Sequence, residues 1–141
     1  AGNIVISDTV GFIRDLPHSL VDAFHATLEV ATHADLLLHV VDSASHARDE
    51  QVDEVNKVLR EIGADCVKQL VVWNKIDLTE AQPGVERGVY GNIARVRVSA
   101  RTGEGLDLLR ESLAEYARAK ADARQKAIAE AEFEAQHDYI N

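Results

Sequence analysis

An apolar run, Gln69-Leu70-Val71-Val72-Trp73, ends abruptly in Asn74-Lys75-Ile76-Asp77. Such a run, rich in β-branched and aromatic residues and bounded by a polar loop, predicts a buried strand. The motif N-K-x-D at the end of a strand also has chemical content. An ionised Asp77 carboxylate presents two acceptor oxygens, and guanine offers two adjacent donors, N1–H and the 2-amino group. Adenine has no such pair. Each hydrogen bond to a charged group is worth roughly 1.5–3 kcal/mol. A site built to pair such donors rejects an analogue lacking them by roughly 10⁴–10⁵. Asn74 is expected to fix the loop and approach the purine edge, with the Lys75 stem over the base face. The tetrapeptide also arises by chance, so the reading needs support from elsewhere in the chain.

Two segments supply it. Ile4-Val5-Ile6-Ser7 reads as a short strand and runs into Asp8-Thr9-Val10-Gly11-Phe12, a D-x-x-G loop. In nucleotide-hydrolysing switches that aspartate holds Mg²⁺, usually through water, and the glycine lets its backbone N–H reach the γ-phosphate. Asp8 is therefore the candidate metal ligand and Gly11 a candidate nucleotide contact. Downstream, Arg95-Val96-Arg97-Val98 leads into Ser99-Ala100-Arg101-Thr102-Gly103. The small Ser99-Ala100 pair allows backbone amides to approach the base oxygen. Three strand-end loops in this order, each opening a helical pattern, form a joint signal.

These loops resemble the GTPase domain of translation-factor-type P-loop proteins. Asp8 to His18 is similar to the HflX family of ribosome-associated GTPases, as are Ala23 to Glu29 and Leu36 to Asp42. The likeness runs from about Asn3 to Arg118. It implies GTP or GDP with Mg²⁺ as cofactors, a cytoplasmic location, and the large ribosomal subunit as partner. Many related GTPases carry glutamine directly after the D-x-x-G glycine, where it orients the attacking water. Here that position is Phe12, which matches the HflX pattern and leaves the water to another group.

Composition limits the alternatives. The chain has 141 residues, enough for one core, and a formal charge of -9. An acidic chain is not by net charge a nucleic-acid clamp, and direct DNA binding is not expected. One cysteine, Cys66, excludes an internal disulfide and fits a reducing compartment. No apolar run reaches the length of a membrane span, and the start lacks a signal-peptide pattern. The six histidines include no H-E-x-x-H and no cluster with cysteine, which argues against a protein-held zinc.

Taken in order, Leu16-Pro17-His18-Ser19 opens a helix with an apolar stripe through Leu20, Phe24 and Leu28. Asp35 to Asp42 reads as a parallel strand covered on both faces, with His39 a packed histidine rather than a ligand. Ser43 to Ile62 is expected to be a helix stopped by Gly63. Thr79 to Asn92 promises at most a short irregular helix. Leu106 to Tyr116 is amphipathic and should close the domain. From Ala117 to Glu134 the chain is rich in helix formers with few apolar residues beyond alanine. The expected organisation is a partial GTPase domain at 1–118 and a projecting, partly frayed helical extension at 119–141.

A phosphate loop needs G-x-x-x-x-G-K followed by Ser or Thr. None of the eight glycines here precedes lysine. The expected fold is therefore an incomplete α/β, P-loop-NTPase-like domain: a mostly parallel sheet with flanking helices, lacking the P-loop strand and helix. Truncation of a longer gene is favoured over a natural degenerate module. The functional expectation is the C-terminal portion of an HflX-like GTP-binding protein. The alternatives are a non-catalytic guanine-nucleotide-binding or interaction module, and a fragment without independent function.

Overall fold

Four strands form the centre of the computed structural model, which describes residues 3–8 and 28–138. They are β1 (Leu37–Asp42), β2 (Gln69–Asn74), β3 (Gly84–Arg87) and β4 (Ile93–Arg97), in the order β1-β2-β4-β3. The first three in that order run parallel, and β3 pairs antiparallel with β4. Two helices accompany them, α1 (Arg48–Glu61) and α2 (Leu106–Asp138). Residues 28–32 are also helical, with Leu28 and Ala31 buried.

Register follows from side-chain alternation. Leu38 sits opposite Leu70, Val40 opposite Val72, and Val72 opposite Val96. One face therefore gathers Leu70, Val72, Val96 and Val98 into a buried cluster, against which Leu106, Leu109 and Leu113 of α2 pack. Burying each such side chain contributes roughly 1.5–3 kcal/mol. The other face carries His39, Val41 and Trp73, and Arg48 of α1 lies 4.5 Å above the Trp73 ring. Arg95 stacks on the same indole at 3.8 Å. His39 is buried, and burial holds its imidazole below the ordinary value, partly offset by a hydrogen bond with Gln69.

The sheet is α/β and mostly parallel, as the sequence predicts, but several elements differ in detail. The strand expected from Asp35 begins at Leu37. The helix expected from Ser43 begins at Arg48. Asp42 Oδ1 accepts the Ala44 N–H at 3.1 Å, and Ser45 Oγ accepts the Ala47 N–H at 3.2 Å. These short side chains offer the backbone a turn in competition with a helix. Within Thr79 to Asn92 an edge strand, β3, replaces the expected irregular helix. Its four residues, Gly-Val-Glu-Arg, are too few to show a period.

Ile4 to Ser7 forms no strand ladder, contrary to expectation, and Val5 and Ile6 are exposed at 88% and 71%. A strand needs a neighbour to take its backbone hydrogen bonds. Among the described residues the sheet ends at β1 and supplies none to this segment. The expected helix from Leu16 falls mostly outside the described residues, as does Gly11.

Helix α2 runs unbroken for 33 residues. Besides its packing against the sheet, polar contacts tie its first half to the body. Arg87 makes a bidentate pair with Glu115 at 2.9 Å, Tyr116 Oη donates to the Asp35 carbonyl at 2.5 Å, and Lys120 pairs with the Asp35 carboxylate. From Arg118 to His137 every residue is exposed.

Candidate functional site

Parallel strands deliver their carboxyl ends to one edge of the sheet, so β1, β2 and β4 bring three loops together there. Asn74 is the last residue of β2. Its backbone carbonyl accepts two bonds from Ser43, the N–H at 3.0 Å and Oγ at 2.6 Å. Its side-chain Oδ1 accepts the Ala100 N–H at 2.9 Å. Asn74 thus bridges the loops that follow β1 and β4.

Lys75 adopts the left-handed conformation, φ 67° and ψ 32°. This is an uncommon state for a residue with a Cβ, and it turns the chain sharply out of the strand. A single 3₁₀ turn, Ile76–Leu78, follows, with Ile76 buried as its anchor. The Ile76 N–H reaches the Val98 carbonyl at 3.3 Å. The sharp turn leaves Lys75 and Asp77 at the surface beside each other. Lys75 Nζ lies 2.8 Å from Asp42 Oδ2, and this bond, above all, holds the Asp42 carboxyl below the ordinary carboxylate range.

Asp77 Oδ1 accepts the Ser99 hydroxyl at 2.7 Å. Ser99 is fully buried, and its Oγ in turn accepts the Thr102 N–H at 3.1 Å. The hydroxyl thus accepts from Thr102 and donates its own O–H to Asp77. A carboxylate has about four lone-pair positions, so this single bond orients Asp77 while leaving acceptor capacity directed outward. The turn behind it depends on Gly105, whose φ is +79° and whose Cα lies so close to β4 that a Cβ would stand 2.3 Å from the Arg97 carbonyl.

Asn74, Lys75, Asp77, Leu78, Ala100 and Arg101 line a cleft of about 380 Å³. Five of the sequence-derived candidates, Asn74, Lys75, Asp77, Ser99 and Ala100, meet here. Asp8 is exposed and outside this cleft's lining, and Gly11 lies beyond the described residues. No group of three or more His, Cys, Asp or Glu side chains placed for a metal occurs among the described residues. Sequence reading missed Asp42, Ser43 and Thr102. The polar pair ending the apolar run at Asp42-Ser43 was the available signal, but only the strand order puts it against Asn74 and Lys75.

The fold and its loop set define a partial guanine-nucleotide-type α/β domain of the P-loop class. A family model described as "50S ribosome-binding GTPase" matches residues 1–75. The chain is 47% identical over 115 residues to GTPase HflX of Escherichia coli, covering 81% of this chain and 27% of that protein. It is 46% identical over 110 residues to GTPase HflX of Caldanaerobacter subterraneus, covering 78% and 24%. A GTP-binding protein from Sulfolobus solfataricus, solved in complex with GDP, superposes with a TM-score of 0.64 at 31% identity, covering 79% of this chain and 39% of that one. The chain belongs to the HflX family of ribosome-binding GTPases. It spans about a quarter of the length of the curated relatives it matches.

Proposed function

We propose that these residues supply the base-reading part of an HflX-type GTP-binding domain. The observation that supports this most is the Ser99–Asp77 bond, in which the Ser99 hydroxyl, itself accepting from the Thr102 N–H, donates to Asp77 Oδ1. Asp77 would accept guanine N1–H and the 2-amino group. The Lys75 stem, held by Asp42, would cover the ring. A guanine oxygen reaching the Ala100 N–H would replace Asn74 Oδ1 there and release the Asn74 carboxamide toward the purine edge.

In the intact parent protein we place GTP hydrolysis and association with the large ribosomal subunit, in the cytoplasm. Asp8 would serve Mg²⁺ together with phosphate oxygens, since that ion is commonly held by one or two carboxylates plus phosphates. Gly11 would face the γ-phosphate. Phosphoryl transfer rests on positioning and charge neutralisation, and residues 1–141 contain no phosphate loop to provide them. This chain alone is expected to discriminate bases without hydrolysing GTP. That second, non-catalytic reading applies to the chain as it stands.

Calorimetric titration with guanosine, GDP, GTP and ATP tests the base pocket. The expected result is a preference for guanine that changes little when phosphates are removed. Equal affinity for GTP and ATP would refute it. A single-turnover assay with Mg²⁺ is expected to give background hydrolysis.

A further inference from the structure

Beyond Lys120, no hydrogen bond or ion pair joins helix α2 to the sheet among the described residues, yet the helix carries an exposed apolar side chain, Ile128 at 50%. Residues 118–137 extend for about 30 Å at the rise of an α-helix. Its charges are poorly arranged for a solitary rod. Residues 118–126 carry four cations (Arg118, Lys120, Arg124, Lys126) and one anion, Asp122. Residues 130–134 carry three glutamates, Glu130, Glu132 and Glu134, and no cation. The helix dipole favours cations, not anions, near a carboxyl end, and His137 is the only basic residue in the last turn. Within the stretch itself, the ion pair from Lys126 to Glu130 is loose at 3.9 Å and has the less favourable order of signs.

The charge division matches one occupant, and Ile128 supplies an apolar contact for it. Ala121, Ile128 and Ala135 recur at seven-residue spacing and share a face with Ala117, Arg124 and Ala131. Alanines at that spacing let two helices approach closely, with Ile128 near the middle. Running a second helix in the opposite direction sets its acidic residues against the basic residues of the first, twice over. A parallel pair would set like against like. We propose that residues 118–137 pair antiparallel with the same segment of a second copy of this chain. The globular bodies then lie at opposite ends of the paired rod and do not collide. A basic partner protein would use only the acidic half and leave Arg124 and Lys126 unmatched.

Sedimentation of the full chain at low salt is the test, with far-UV circular dichroism as a check on folding. The wild type is expected to shift from monomer to dimer with concentration, and the dimer to weaken several-fold as salt screens the charges. Glu130→Lys/Glu132→Lys/Glu134→Lys is expected to be monomeric, as is Arg118→Glu/Arg124→Glu/Lys126→Glu. Mixing the two is expected to restore a dimer containing one of each. Ile128→Glu should abolish association in every combination. A wild type that stays monomeric at its highest soluble concentration overturns the proposal. So does a dimer that survives both charge reversals, or two monomeric variants that fail to associate when mixed, the outcome expected if a basic partner is the true occupant.

Discussion

Lys75 Nζ and Asp42 Oδ2 are 2.8 Å apart, joining the carboxyl ends of two parallel strands separated by 32 residues of chain between Asp42 and Lys75. The pair is half exposed, so its net worth is small, about 0.2–1 kcal/mol. Its consequence is positional: it fixes where the lysine stem runs. Asp42→Ala is expected to weaken guanosine binding by about two- to five-fold and to leave the preference for guanine over adenine unchanged. Calorimetry on both nucleotide classes checks this. A lost preference would mean that Asp42 acts on the base reader itself.

The same pair has a pH signature. Lys75 lowers the folded-state pKa of Asp42, so the folded chain holds this carboxyl ionised more firmly than the unfolded chain does. Its stabilising contribution is therefore complete above the ordinary carboxylate value and disappears as pH falls through the lowered one. Asp42→Asn should show a shallower loss of stability on acidification, measured by thermal melts from neutral pH downward.

Asp77→Asn tests the proposed base reader directly. The amide presents a donor where guanine also presents one, so guanine binding should fall at least about tenfold, from the loss of a charged hydrogen bond. Xanthine, with an oxygen in place of the 2-amino group, should bind the variant better than guanine does. Competition between xanthosine and guanosine diphosphates reads the ratio. An unchanged ratio would remove Asp77 from base recognition.

Gly105→Ala should destabilise the fold more than Gly103→Ala. Both glycines have positive φ, at +79° and +86°, which costs an alanine about 1–2 kcal/mol. Only at Gly105 does the added Cβ also meet backbone, 2.3 Å from the Arg97 carbonyl. Rigid backbone cannot step aside as a side-chain tip can, and the overpacking adds about 1–3 kcal/mol. Urea unfolding of the two variants measures the difference, and equal midpoints would contradict the close approach.

His39 predicts a second pH effect with the opposite charge. Burial lowers its folded-state pKa, so on acidification the unfolded chain takes up a proton that the folded chain refuses. Stability is therefore full above the ordinary histidine value and declines below it, until the folded imidazole also titrates. His39→Leu should remove that decline between neutral and mildly acidic pH. A variant as pH-sensitive as the wild type would place the effect elsewhere.

Local sequence determined the strands that feed the site and the chemistry of their ends. Gln69 to Trp73 and Arg95 to Val98 are apolar or alternating runs with abrupt polar stops, so the strands and their loops were legible together. Asn74, Lys75, Asp77, Ser99 and Ala100 could be singled out because N-K-x-D and Ser-Ala carry their meaning in residue type and spacing. Tertiary structure decided the rest. Ile4 to Ser7 has strand composition but forms no ladder, since pairing depends on a neighbour that composition cannot supply. Gly84 to Arg87 became a strand because β4 offered it an antiparallel edge. Asp42 and Ser43 acquired their roles only when parallel pairing set the end of β1 beside the end of β2. That pairing depends on the register of two distant apolar runs, a property of the packed sheet rather than of either segment.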